Sequence, residues 1–309
     1  MILCIGPTPA AQRVMVFSKL TIDAVNRAAT TLDGAAGKSI NVAKVLKALG
    51  EQPLATGFLG GPRGKELLRT LRERKIRCEF VSVAAQTRQC ITVIDETSAR
   101  HTELVEESQP VPAAAYADLW HIIERRMTTS RAAVMSGTIT PGGPIDFYER
   151  CTRLAHRSSA LAIVDAQGPA LLHALKAKPS LVKPNRAELA VTVKRKLVGL
   201  ADLKRAMKAL NDQGAERIVV TAGKAATLAF DGHRFWRITN PIIEARNPIG
   251  SGDSFTAGLI WRLLRGDDLG ESCRWAAAAG TANALTWMAG EVDLAGIRRL
   301  AKQVHVETC

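Results

Sequence analysis

Asn247-Pro248-Ile249-Gly250-Ser251-Gly252-Asp253-Ser254-Phe255 leads into a pattern that stays apolar and helical as far as Gly266. Small residues at 250, 251 and 252 let a backbone turn come close to a bound group. The helix that follows aims its free N–H groups back into the turn, which outlines an anion hole. Asp253 stands at the rim, where a carboxylate can take a proton from a hydroxyl attacking a phosphoryl group. Asp is also favoured at helix starts, as a cap and as a partner of the helix dipole, so the stretch alone leaves both roles open.

From Ala113 onward the chain alternates regularly. Helical stretches are expected near 113–127, 144–157, 200–213, 252–265 and 268–285, with compact apolar runs at Ala132–Met135, Leu161–Val164, Leu181–Val182 and Ile218–Val220. Continuous apolar strands alternating with helices indicate a parallel sheet covered on both faces. Ser136-Gly137-Thr138, Asp165, Lys183-Pro184-Asn185 and Thr221-Ala222-Gly223 follow those strands. Polar and glycine residues therefore gather at strand carboxyl ends, the edge where open α/β sheets bind ligands.

The amino-terminal third is less regular. Met1–Gly6 reads as a buried strand, and Asp33-Gly34-Ala35-Ala36-Gly37-Lys38-Ser39-Ile40-Asn41 as a second Gly-rich turn opening a helix. Val42, Val45, Leu46 and Leu49 give that helix its apolar face. Leu54–Gly61 is expected as a strand and Arg63–Lys75 as a basic helix. Residues 8–31 have little helical period, and Phe80–Val83 and Cys90–Ile94 are β-prone pieces with no helix between them. Antiparallel strands fit there. Together 8–31 and 79–106 suggest a small β-sheet lid on a single α/β domain spanning 1–309.

Bulk properties narrow the function. The 309 residues are 47% hydrophobic and 23% charged, near globular averages, and no apolar run approaches the roughly 18 residues of a membrane span. The start lacks a basic leader region, so a cytoplasmic protein with no membrane partner is expected. Six scattered cysteines form no Cys-x-x-Cys pair, which argues against a zinc site or a disulfide framework. The six histidines sit away from the motifs in no ligand spacing. Net charge is +13, spread over helical segments without a basic tail or aromatic interleaving. That suits an anionic small molecule and argues against nucleic acid as partner.

Gly250-Ser251-Gly252-Asp253, Lys183-Pro184-Asn185-Arg186-Ala187-Glu188 and Gly37-Lys38-Ser39-Ile40-Asn41-Val42-Ala43 occur in an order and spacing that resembles the ribokinase-like sugar kinases. Within them the chain is most similar to the phosphofructokinase-B branch, which includes 1-phosphofructokinase and tagatose-6-phosphate kinase. The resemblance covers essentially the whole chain. It implies a ribokinase-like doubly wound, mainly parallel sheet with helices on both faces and a small β-lid, and ATP-dependent phosphorylation of a sugar hydroxyl. By this resemblance Asp253 is the catalytic base, and the N–H groups of Gly250, Ser251 and Gly252 form the anion hole. Asn185 and Glu188 match the family's Mg²⁺ motif, acting through water. Lys183, Asn185, Thr221, Gly223, Gly252, Gly280 and Asn283 fall where the family holds ATP. Gln12, Gly37, Lys38, Asn41 and Thr138 match sugar-binding positions, and Arg88 and Arg27 fall where the phosphosugar branch has basic residues. Lid strands in this family often pair across a homodimer.

Departures concern the sugar. Gln12 stands where many members carry Asp, the usual Gly-Gly-Lys-Gly is Ala36-Gly37-Lys38-Ser39, and Ser251 replaces Ala in the anion hole. The reaction expected is transfer of the γ-phosphoryl of ATP to a ketohexose monophosphate, fructose 1-phosphate first and tagatose 6-phosphate second. An unphosphorylated sugar or nucleoside is the alternative substrate, and a non-catalytic sugar-phosphate sensor the alternative role.

Overall fold

The computed structural model describes every residue from Met1 to Cys309. In chain order its first half comprises β1 (Ile2–Ile5), β2 (Ala10–Phe17), β3 (Thr30–Ala36), α1 (Lys38–Ala48), β4 (Pro53–Thr56), β5 (Phe58–Leu59), α2 (Gly61–Glu73), β6 (Arg77–Cys78), β7 (Val81–Ser82), β8 (Arg88–Asp95), β9 (Arg100–Val105), α3 (Ala113–Met127) and β10 (Ala132–Ser136). There follow α4 (Phe147–Arg157), β11 (Leu161–Asp165), α5 (Gly168–Leu175), β12 (Leu181–Val182), α6 (Arg186–Thr192), α7 (Gly199–Asp212) and β13 (Ile218–Ala222). The chain closes with β14 (Ala225–Phe230), β15 (Phe235–Thr239), α8 (Ser251–Leu263), α9 (Leu269–Ala284), α10 (Leu294–Ala301) and β16 (His305–Thr308).

Ten strands form one sheet in the order β16-β15-β14-β13-β12-β11-β10-β1-β4-β6. From β6 to β13 all neighbours are parallel, and β13 to β16 continue antiparallel. Side chains leave a strand on alternate faces, and here both faces are apolar. Ile2 and Cys4 of β1 join a core of 38 buried residues with α1, α2, α8, α9 and α10. Leu3 and Ile5 join one of 37 with α3 to α7 on the other face. Two cores of nearly equal size explain why the strands read as unbroken apolar runs. No helix is long and apolar enough to cross a membrane.

From β1 the chain goes to β4 on one side and later to β10 on the other, so the order reverses there. A crevice opens at such a reversal, beyond the strand carboxyl ends.

The second sheet has the order β3-β2-β8-β9. It differs from the expected lid in three ways. Its third strand lies at 30–36, so Asp33–Ala36 is strand and the turn shrinks to Gly37, with φ 106°. Its middle pair, β2 and β8, is parallel, with Ala10 opposite Arg88, and only the outer pairs are antiparallel. Phe80–Val83 is not part of it: β7 pairs with β5, because Gly57 breaks Leu54–Gly61 into two strands. Val14, Val16 and Ile94 pack with Leu32 on the inner face of the small sheet, which Trp287 and Met288 cover.

Candidate active site

A cleft of about 370 Å³ lies between the two sheets. Its floor comes from the helix starts and strand ends of the large sheet, and Ala10, Gln12, Arg88, Cys90, Glu103 and Val105 of the small sheet close one side. Of the residues singled out in the sequence, Gln12, Gly37, Lys38, Asn41, Arg88, Lys183, Asn185, Glu188, Thr221, Gly250, Gly252 and Asp253 line it.

Gly250 caps α8 with φ 83° and ψ −4°, a left-handed conformation that favours glycine. A Cβ there would sit 2.6 Å from that of Ala289, so both the dihedral and the space demand glycine. Gly252 and Asp253 follow in the first turn, whose N–H groups have no intrahelical acceptor. Ser251 departs from the expected anion hole. Its N–H donates to the Pro248 carbonyl at 3.1 Å and its hydroxyl accepts from Asn283, so it faces away from the cleft.

Asp253 is 7% exposed, and its Oδ2 accepts a 2.7 Å hydrogen bond from Asn41 Nδ2. Burial and then the nearby Asp165 carboxylate push its pKa up to about 7, against Lys38, Asn41 and Lys183, which pull it down. A base near neutral pH results.

Asp165, wholly buried at the end of β11, anchors the floor. Its Oδ1 accepts from Lys38 at 2.9 Å, and its Oδ2 lies 3.0 Å from Lys183 Nζ and accepts from the Thr256 hydroxyl at 3.0 Å. Burial opposes its charge, but Lys183 and Lys38 outweigh burial and hold it at about 2. For Lys38 burial is likewise overcome, by Asp165, Glu188 and Asp253, and the ammonium stays charged. Two ammonium groups beside a dipolar turn make a site for a polyanion.

Asn185 and Glu188 form a reciprocal capping box at the start of α6. Glu188 N–H donates to Asn185 Oδ1 at 2.9 Å, and Asn185 N–H donates to Glu188 Oε2 at 2.8 Å. Glu188 Oε1 also accepts from Lys38 at 3.0 Å. Both residues line the cleft. That hard oxygen set fits a cation that retains its waters better than one bound directly.

Several polar atoms have no protein partner although buried: Gln12 Oε1, Asn41 Oδ1 and Arg88 Nε. Gln12 Nε2 donates to Thr92 Oγ1 at 3.3 Å, and Arg88 donates to the Thr8 carbonyl at 3.3 Å. A hydroxylated, anionic ligand satisfies such atoms.

Other expected contacts do not line the cleft. Asn283 is fully buried behind the anion hole, with Nδ2 donating to the Ile249 carbonyl at 2.8 Å and Oδ1 accepting from Gly290 N–H at 2.7 Å. All its capacity is spent on scaffold. Gly280 is a packing position, where a Cβ would lie 2.9 Å from the Ser251 carbonyl oxygen. Gly223 is exposed in the β13–β14 turn, Arg27 is exposed in the β2–β3 connection, and Thr138 is exposed with its hydroxyl 3.4 Å from that of Thr8. Asp165, and Thr256 bonded to it, are the residues that motif reading missed. For Asp165 the signal was present, a carboxylate directly after an apolar strand. Among the histidines, His101 Nε2 lies 2.8 Å from the Arg246 carbonyl beside the anion-hole loop.

Comparison with known proteins agrees with this geometry. Residues 1–290 match the pfkB family of carbohydrate kinases. The chain is 29% identical over 309 residues to a tagatose-6-phosphate kinase of Staphylococcus epidermidis, with 99% of each chain covered. Its fold is similar to that of a Thermotoga maritima protein described as a possible 1-phosphofructokinase, at TM-score 0.93 and 24% identity, covering 100% of this chain and 99% of the other. It is similar too to phosphofructokinase-2 of Escherichia coli in complex with fructose-6-phosphate, at TM-score 0.86 and 24% identity, covering 98% of each. With the buried carboxylate, the dipolar turn and the two-sheet cleft in place, the chain belongs to the pfkB family and is an ATP-dependent carbohydrate kinase.

Proposed function

We propose that the acceptor is a ketohexose monophosphate, which the enzyme converts to a bisphosphate. The observation that carries this reading is Arg88, a guanidinium presented to the cleft by the small sheet with its Nε buried and unpartnered. A planar fork at that place suits a phosphate already on the sugar. Gln12, Gly37 and Asn41 take sugar hydroxyls, and Gln12 Oε1 and Asn41 Oδ1 are free to accept. Fructose 1-phosphate remains the first candidate from the sequence. The similarity to a tagatose-6-phosphate kinase supports tagatose 6-phosphate.

In the reaction, Asp253 takes the proton of the attacking hydroxyl as its oxygen bonds to the γ-phosphorus of ATP. The bond from that phosphorus to the β-phosphate oxygen breaks and ADP leaves. Gly250 and Gly252 N–H groups, with Lys38 and Lys183, neutralise the charge on the transferring group, and Thr221 and Asn185 border the nucleotide. Asn185 and Glu188 would hold Mg²⁺, which would supply further neutralisation of the phosphates. The small sheet acts as a lid that excludes water, and its open strand edges form a homodimer contact.

An ADP-release assay with ATP and Mg²⁺ over fructose 1-phosphate, fructose 6-phosphate, tagatose 6-phosphate, fructose and ribose tests the reading. A ketohexose monophosphate should give the highest kcat/KM. Preference for a neutral sugar would overturn it.

A further inference from the structure

One buried charge takes no part in the chemistry above. Lys44, on α1, is 5% exposed, and its ammonium donates to the carbonyls of Ala289, at very short range, and of Ala35, at 3.3 Å. Glu291 Oε1 lies 3.4 Å away. Ala289 and Glu291 belong to segment 285–291, which follows α9.

This segment is the wall behind the anion hole. Ala289 abuts Gly250, and Gly290 N–H donates to Asn283 Oδ1, the residue that also holds the Ile249 carbonyl. The Trp287 carbonyl accepts from Asn247 Nδ2 at 2.7 Å. On its other side Trp287 and Met288 cover the inner face of the small sheet. The segment therefore touches the anion hole, the small sheet and Lys44.

We propose that Lys44 is a positioning residue for phosphoryl transfer: its ammonium fastens segment 285–291 to α1 and thereby holds Gly250 and the head of α8 in the anion-binding conformation. The inference rests on the kinase reading. Donors stabilise a developing charge only when they are held in place before it develops, so a wall free to move would lower turnover more than substrate binding. Burial pulls the Lys44 pKa down to about 8; Glu291 and Asp253 pull it up, and Arg74, 2.6 Å from Glu291, pulls it down. The fastening is thus lost as pH rises through about 8.

The full-length enzyme with Lys44→Met, Lys44→Arg or Glu291→Gln tests this, using ATP, Mg²⁺ and the best acceptor of the panel. Lys44→Met should lower kcat at least about tenfold with both KM values within about threefold. Lys44→Arg should restore most of kcat and move its alkaline fall to higher pH. Glu291→Gln, which keeps the amine, should move that fall to lower pH. Hydrogen exchange read by mass spectrometry needs no turnover: at pH 7 the peptides over 285–291 should exchange about tenfold faster in Lys44→Met, with the strands of the large sheet unchanged. Unchanged exchange at 285–291, or an equal rise throughout the chain, would overturn the proposal, as would an unchanged kcat. If no acceptor is turned over, the kinase reading fails and the exchange arm still decides the fastening.

Discussion

Asn41 Nδ2 donates to Asp253 Oδ2 at 2.7 Å, joining the first turn of α1 to the first turn of α8 across 212 positions of sequence. The two Gly-rich turns read separately in the sequence thus meet at the Asp253 carboxylate. The bond favours the charged form of Asp253. Asn41→Ala should therefore raise the Asp253 pKa above about 7 and carry the acid limb of kcat/KM with it. A hydrogen bond to a charged group is worth about 1.5–3 kcal/mol, or about one to two pH units. A rate profile from pH 5.5 to 9 that keeps its acid limb in place would remove the link.

Asp253→Asn should cut kcat at least about 10²-fold, while ATP still binds by calorimetry. Stability should change in the opposite sense. The pKa of the folded state is raised, so the contribution of Asp253 is fully present below about 3.8 and is lost as pH rises through about 7. The gap corresponds to about 4 kcal/mol at about 1.4 kcal/mol per pH unit, an upper bound for a side chain at a wet cleft. Asn escapes that cost, so the variant should melt higher than wild type at pH 8 and equally at pH 4. Equal melting at both pH values would mean the carboxylate is not strained by its site.

Arg88→Ala should raise KM for the phosphorylated acceptor about tenfold or more, since a charged hydrogen bond is lost from ground state and transition state alike. ATP KM and kcat should hold. Steady-state kinetics with fructose as control separates the cases: an equal effect on the neutral sugar would deny Arg88 its phosphate.

How much of this was legible depends on sequence distance. Gly250 to Asp253 could be read because a left-handed cap, a helix start and its first carboxylate are local. The alternating strands could be read because burial on both faces makes them continuous in apolar character. The Asp165–Lys38 pair joins residues 127 positions apart, and no local pattern encodes it. Asn283 was expected at the nucleotide from the family resemblance, yet which face of α9 turns inward depends on packing against α8. Asn185 and Glu188, read from the family motif, form a capping box whose two residues also line the cleft, because a helix start at a strand carboxyl end is local in sequence. The small sheet was misjudged at Phe80–Val83, where strand propensity is real but Gly57 diverts the pairing partner.

The small sheet leaves β3 and β9 as open edges, and β9 carries Leu104 at 54% and Val105 at 46% exposure. Unpaired edges with apolar side chains invite a second copy. Light scattering at micromolar concentration should give a dimer mass, and Leu104→Lys should shift it toward monomer. A monomeric wild type would end the dimer proposal.

Asp165→Asn should act on Asp253 in the direction opposite to Asn41→Ala. The Asp165 carboxylate is the second cause, after burial, of the raised Asp253 pKa. Without it only burial opposes Lys38, Asn41 and Lys183, so the acid limb of the rate profile should move below about 7. The same change should weaken the fold. Asp165 is depressed to about 2, so its contribution is present above about 3.8 and lost as pH falls through about 2. Removing one partner of a buried charge cluster costs about 3–5 kcal/mol, and somewhat less here because Lys38 is 34% exposed to the cleft. Urea unfolding at pH 7 measures that loss, and the pH profile of the surviving activity measures the shift. A limb that moves upward, as in Asn41→Ala, would show that Asp165 supports Asp253 by geometry and not by charge.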